Sequence, residues 1–358
     1  MASLTETRNP MDLLSGLYSM YLKDRFGEIL DFAQDANDIQ NEQLSNLLLE
    51  AADTEWGKKH DFRSVFSYQE FRERLPIQRL SDLKPYLERM GKGEVDLLWP
   101  GLPKDIVCSM GDSYVPITAQ AIEEIFQQGI SDSFAIHLNK NPGSKLLEGF
   151  SANVGNGVDL PYMNELHALL RANEPFLNSL LNLPKRVGDD KDGNPSIELV
   201  LKEALGQKVT SFKGCSARLQ DLLKKAYRKT GKKSLKEVWP DAEVLFVRGP
   251  ANSAYLQKSK AILPEGLIQQ ATYCTPEGLF GIQDDPTDAS FLLMLDLSTF
   301  YEFIPTGGTD QDIVPLEDTE AGIDYQMVIT NCSGLWRCCS EGPRIRFISI
   351  RPYRFILL

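Results

Sequence analysis

The chain opens on MASLTETRNPMDLLSG, which lacks a basic stretch followed by an apolar one, so it does not read as a secretory signal. No run of about 18 apolar residues occurs, which leaves no signature of a membrane-spanning helix. The longest apolar cluster, Phe291 to Leu297, is strand-sized and is interrupted by Asp296. Histidine is scarce: His60, His137 and His167 lie far from one another and from the six cysteines. No Cys-x-x-Cys is present, so the paired spacing of a structural zinc site is missing. Cysteines in a chain with no signal read as reduced thiols of a cytoplasmic protein. Positive charge is also short: 38 Lys and Arg stand against 50 Asp and Glu, a net charge of −12. A general nucleic-acid or acidic-membrane binder would carry the opposite balance. A small anionic ligand is still open, because local charge can oppose the global sign.

What is present changes character along the 358 residues. The first 150 read mainly as helix. Leu44, Leu47, Leu48, Ala51 and Ala52 recur at helical spacing, with Gly57 as the expected C-cap. Ser67 and Glu70 form a capping box in SYQEFRERLP, and Pro76 ends that helix. SDLKPYLERMGKGE reads as a short helix closed by Gly91. TAQAIEEIFQQG, from Thr118, is amphipathic through Ile122, Ile125 and Phe126, with Gly129 as its expected stop. Residues 151–270 are mixed. SIELVLKEAL is helical, and Ser216 caps a helix carrying Leu219, Leu222, Leu223 and Ala226 on one face, closed by Gly231. AEVLFV reads as a buried strand. From 271 to 358 short runs of β-formers follow one another: FLLMLDL, FYEFIP, DYQMVITN and RIRFISI. With no linker or repeat, this predicts an α/β fold with a β-rich unit.

Four stretches carry candidate chemistry. CSMGDSYVPIT places Ser109, Gly111 and Pro116 in a small-residue loop before a helix; it is either a phosphate cradle or a plain turn. YCTPEGLFG holds Tyr273, Glu277 and Gly278 in a loop at a strand end. VLFVRGPANSAY runs a strand into Gly249, with Arg248 just before it. GLWRCCSEGPRIRF holds Trp336 and Arg337 beside Cys338 and Cys339. Adjacent cysteines make a poor disulfide and, alone, a poor chelate, so a thiol or metal protein ranks last.

In this order, together with LLLEAADTEWGKKHDFRSVFSYQEF, KTGKKSLKEVWPDAEVLF and ITNCSGLWR, these stretches resemble the auxin-responsive Gretchen Hagen family of acyl-acid amido synthetases. The resemblance runs along nearly the whole chain. It implies the large N-terminal domain of an adenylate-forming enzyme, with mixed sheets flanked by helices and a β-rich unit. The family's small C-terminal domain has no counterpart after RPYRFILL. The implied activity is ATP- and Mg²⁺-dependent adenylation of a small carboxylic acid, followed by acyl transfer to an amine or amino acid. Glu277 is then the catalytic, Mg²⁺-facing carboxylate. Ser109, Gly111, Gly249, Tyr273, Gly278, Trp336 and Arg337 are the implied nucleotide neighbours.

The chain also departs from the family pattern. The two threonines and the lysine of the first motif are missing. Pro276 replaces a serine. Gly342-Pro343 stands where an aspartate would meet the ribose, with Glu341 next to it. These departures keep open a second expectation, a truncated relative that binds a ligand or a protein without turnover.

Overall fold

The computed structural model describes residues 10–109, 113–155, 161–174, 194–249 and 253–358. Six helices fall in the first 150 residues: α1 (Pro10–Asp31), α2 (Ala36–Glu50), α3 (Glu55–Lys59), α4 (Tyr68–Arg74), α5 (Lys84–Met90) and α6 (Gln128–Lys140). A hairpin of β1 (Asp105–Cys108) and β2 (Tyr114–Ile117) stands apart as its own two-stranded sheet. All other described strands join one twelve-stranded sheet.

One half of that sheet is parallel: β3 (Phe150–Gly155), β4 (Val209–Gly214), β5 (Val244–Arg248) and β6 (Ile268–Thr275) lie side by side in chain order. Parallel neighbours need crossovers, and helices supply them: α8 (Ile197–Ala204), α9 (Ser216–Thr230), α10 (Leu235–Val238) and α11 (Ser253–Ala261). Helix α7 (Pro161–Ala172) packs near β1. At β7 (Gly278–Ile282) the sheet turns antiparallel and continues through β8 (Phe291–Leu293), β14 (Tyr353–Leu357), β13 (Ile345–Ile350), β11 (Asp324–Asn331), β9 (Thr299–Pro305) and β10 (Val314–Pro315). Strand β12 (Leu335–Cys339) hangs on β11. A mixed sheet flanked by helices is the α/β architecture expected from the sequence, and its parallel half is buried as the apolar run AEVLFV requires.

Several local readings hold for simple reasons. Ser67 Oγ accepts from the Glu70 amide at 3.2 Å, while the Glu70 carboxylate reaches back to the Phe66 amide at 2.8 Å. Helix α9 buries Leu219, Leu222, Leu223 and Ala226, and Gly231 closes it in the left-handed conformation (φ 73°), the region glycine enters without strain. Its expected cap does not hold: Ser216 is the first helical residue, and Cys215 stands at the N-cap.

Others are corrected. Gly57 does not cap α2. It sits inside α3, pressed on the end of α2 so closely that a β-carbon would lie 2.1 Å from the Ala51 carbonyl oxygen. Gly129 does not stop its helix either. A π-helical segment, Ala121–Gln127, runs through into α6, and Gly129 makes room for Leu279 of β7, 2.5 Å from where a β-carbon would stand. Both glycines were read as punctuation because spacing along the chain does not report a neighbour across it. FLLMLDL is a strand only as far as Leu293; Asp296 leaves the ladder to pair with Arg25, which also grips Asp132 at 2.8 Å.

The helical layer is tied to the β-rich half through Arg337 on β12. Its Nε and Nη2 each meet a carboxylate oxygen of Glu302 on β9 at 2.8 Å, and its Nη1 donates to the carbonyls of Arg72, at 2.9 Å, and Leu75. Tyr68 Oη donates to the same Glu302 at 2.9 Å. The pair is nearly closed to solvent, Arg337 at 3% and Glu302 at 1%.

Two tests follow from this packing. Gly57→Ala is expected to destabilise by about 2–3 kcal/mol, as overpacking does, whereas Gly27→Ala, on an open face of α1, stabilises by about 0.5–1 kcal/mol. Urea unfolding of the two variants reads the difference. Arg337→Met, which leaves Glu302 buried without its partner, is expected to cost about 3–5 kcal/mol in the same assay. The double variant Arg337→Met/Glu302→Leu should recover part of that loss.

Candidate functional site

Three stretches that are far apart in sequence meet at the turn between β6 and β7. Pro276 and Glu277 form that turn, and the Glu277 amide donates to Thr275 Oγ1 at 3.2 Å. Asn331, at the end of β11, donates to the Glu277 carbonyl at 2.8 Å and fixes the turn from below. The side chain of Glu277 is only 1% exposed. Ser109 Oγ, just after β1, donates to its Oε1 at 3.1 Å. Its other oxygen, Oε2, is buried with no hydrogen-bond partner.

From the opposite side comes the segment after β12. Ser340 lies beside Glu277, and Ser113 Oγ donates to Glu341 Oε1 at 2.7 Å, clasping the hairpin to that segment. Gly342 comes up against the Tyr273 hydroxyl: a β-carbon at 342 would stand 2.4 Å from it.

Burial pushes the Glu277 carboxyl up to about 7, against the lowering influence of the Ser340 and Ser109 hydroxyls; the nearby Glu341 charge adds to the rise. Near neutral pH the site therefore holds a carboxyl that is only about half ionised, and a cation joining it would favour the charged form. A buried carboxylate oxygen without a donor, beside hydroxyls, suits a metal that draws its remaining ligands from phosphates and water.

The other residues singled out in the sequence fall in different places. Gly249 is buried at the end of β5 (φ 138°), its amide donating to Thr272 of β6 at 3.1 Å. Gly278 begins β7, with the Phe280 ring 2.9 Å from where a β-carbon would be. Gly111 lies outside the described residues. Three expected neighbours of the nucleotide are instead enclosed. Tyr273 is 1% exposed, its ring packed on Phe280, Phe291 and Phe355 at 5.4–6.2 Å, so no face is open for stacking a base. Trp336 is fully buried between Phe62 and Trp99, and its indole N–H donates to Leu98 at 2.9 Å. Arg337 spends its donors on Glu302, Arg72 and Leu75. These two support the floor under the site and do not face a ligand. The reason is depth: β12 is paired with β11 on one side and with Gln78 on the other, so both of its faces are covered.

Sequence reasoning missed Asn331, Ser113 and Ser340. Single polar residues at strand ends carry no spacing signal, and only the fold brings them to Glu277. Cys338 and Cys339 pair with Ile329 and Val328 of β11; burial pushes both thiols up, and none of the six cysteines forms a disulfide. Among the described residues no cluster of three or more His, Cys, Asp or Glu could hold a metal, and no helix is long and apolar enough to cross a membrane.

Comparison with known proteins agrees with this layout. Residues 25–212 match the GH3 family N-terminal domain, and residues 292–348 match the GH3 family central domain. The 4-substituted benzoates-glutamate ligase GH3.12 of Arabidopsis thaliana is 34% identical over 110 residues, 29% of this chain and 19% of that protein. The indole-3-acetic acid-amido synthetase GH3.6 of Arabidopsis thaliana is 20% identical over 88% of this chain. The match spans 66% of that protein's own length. Among solved structures, the GH3.15 acyl acid amido synthetase in complex with 2,4-DB superposes with a TM-score of 0.71 at 16% identity, covering 95% of this chain and 70% of that one. An open conformation of 2-hydroxyisobutyryl-CoA ligase gives a TM-score of 0.55 at 13% identity, covering 88% and 72%. At such identities the superpositions speak for the fold alone. The family models cover more than half of the sequence, in the order in which the fold presents them, and the chain belongs to the GH3 family.

Proposed function

We propose that this chain is the acid-adenylating portion of an acyl-acid amido synthetase. It activates a small carboxylic acid with ATP and Mg²⁺ for transfer to an amine or amino acid. The observation that carries the reading is the convergence of residues 109–113, 273–278 and 340–342 on Glu277, whose Oε2 is buried without a partner. ATP supplies the adenylyl group that activates the acid and releases pyrophosphate. Glu277 holds the Mg²⁺ ion, with the other metal ligands coming from phosphates and water. Ser109 and Ser113 orient the Glu277 and Glu341 carboxylates beside the phosphates, and Gly249 and Gly278 let the backbone approach the nucleotide. Glu341 takes the ribose hydroxyls in the place of the aspartate missing from the third motif. Tyr273, Trp336 and Arg337 hold β6 and β12 in position from behind. A cytoplasmic location is compatible with six thiols and no disulfide among them.

The enclosed ring of Tyr273 favours a second reading, a relative that binds an acid, a nucleotide or a partner protein without turnover. One measurement separates the two. Acid-dependent exchange of labelled pyrophosphate into ATP, across a panel of carboxylic acids, is expected for the adenylating chain and is absent for a binding module. If millimolar ATP with Mg²⁺ also gives no thermal shift, the nucleotide site itself is refuted.

Glu277 offers a second test with a definite sign. Its folded value of about 7 lies above the ordinary 4.5, so the folded state binds the proton more tightly than the unfolded one. Stability from this group is complete below pH 4.5 and falls as pH rises through 7, by at most about 3 kcal/mol. Glu277→Gln removes the titration. The variant is expected to exceed the parent in urea midpoint at pH 8, to converge with it below pH 5, and to lose pyrophosphate exchange. A stability difference that does not change with pH would refute the assigned protonation.

A further inference from the structure

The segment that follows β12 is tied down around one residue. The Ser340 amide donates to the Met327 carbonyl of β11 at 3.0 Å, and its carbonyl accepts from Gln326 Nε2 at 2.5 Å. Its Oγ accepts from the Gly342 amide at 3.1 Å. Ser340 is buried. A hydroxyl has one hydrogen to donate and two acceptor positions. With the Gly342 amide on an acceptor position, the hydrogen is left for a neighbour, and that neighbour is the Glu277 carboxyl.

Gly342 must be small for this contact. A β-carbon there would stand 2.4 Å from the Tyr273 hydroxyl and 3.2 Å from Ser340 Oγ, so a side chain would push the amide away from Ser340. Between the two, Glu341 accepts from Ser113 Oγ at 2.7 Å. One segment of three residues therefore meets both Glu277, through Ser340, and the β1–β2 hairpin, through Glu341. The other hydroxyl on the Glu277 carboxyl, Ser109, has its amide bonded to the Ser113 carbonyl within the hairpin at 2.7 Å. Ser340 is thus the hydroxyl that joins the carboxyl to the 340–342 segment. A hydrogen bond to an ionised carboxylate is shorter and about twice as strong as a neutral one. A hydroxyl that donates more strongly also accepts more strongly. A cation that holds charge on Glu277 therefore tightens the bond from Gly342 to Ser340 and stiffens the segment that carries Glu341.

We propose that Ser340 is a positioning residue that couples the two ends of the nucleotide site, so that metal at Glu277 and ribose at Glu341 bind cooperatively. This rests on the adenylating reading, which puts Mg²⁺ at Glu277 and the ribose at Glu341. The coupling is reciprocal: ribose at Glu341 raises the affinity for the metal by the same factor as the metal raises that for the ribose.

The test uses the full chain and reads binding without turnover. Adenosine is the probe, because it brings the ribose but no phosphate, so any effect of Mg²⁺ on it passes through the protein. Calorimetric titration with adenosine is run with and without millimolar Mg²⁺. Mg²⁺ is expected to tighten adenosine binding by about five-fold or more in the parent. Ser340→Ala should abolish that effect while adenosine alone still binds, and Ser340→Thr, which keeps the hydroxyl, should retain most of it. A folding defect would weaken both titrations and leave their ratio unchanged. An unchanged ratio in Ser340→Ala, or no effect of Mg²⁺ on a parent that binds adenosine, would overturn the proposal and leave the adenylating reading in place. So would a parent that binds ATP but no adenosine. A parent that binds neither loses the adenylating reading as well.

Discussion

One buried ion pair holds the molecule together. Arg337 and Glu302 meet inside the protein, and two carbonyls of the helical layer take two further donors of the guanidinium. A charge removed from water needs this degree of satisfaction, because an unmet donor or an uncompensated carboxylate at such depth costs several kcal/mol. The requirement ties α4, β9 and β12 to one geometry. It also fixes where the chain emerges after β12, and so where Ser340, Glu341 and Gly342 stand relative to Glu277. Arg337 adopts a positive φ of 44°, which a non-glycine residue keeps only when its surroundings insist. The Thr330 hydroxyl, accepting from its amide at 2.9 Å, is part of that insistence.

The site itself works by the opposite device. Where Arg337 is saturated with partners, Glu277 is left short of them. Its backbone is pinned by Thr275 and Asn331, Oε2 has no donor, and burial raises the carboxyl toward neutrality. A group in this state is stabilised by an arriving cation more than a solvated glutamate would be.

Much of the fold was legible from local patterns. Periodic leucines in α9, the Ser67–Glu70 cap and the β-rich runs after 271 each depend on residues within a turn or a strand of one another. Gly57 and Gly129 were misread for the complementary reason. Each is small because something from elsewhere, Ala51 or Leu279, lies against it. The motif comparison located Ser109, Glu277 and the segment after β12, but it could not tell which of their neighbours face inward. Trp336 and Arg337 are the clearest case, since they lie in the best-matched stretch and are the most deeply enclosed.

The sequence by itself determined the class of fold, the family pattern and Glu277 as the candidate carboxylate, because these follow from short-range propensity, apolar spacing and motif order. Tertiary structure alone decided that Glu277 is buried with one oxygen unmet, that Trp336 and Arg337 are framework, and that Ser340 lies beside both Glu277 and Gly342. Burial, dielectric and the meeting of like charges are properties of the packed interior, and no local pattern encodes them.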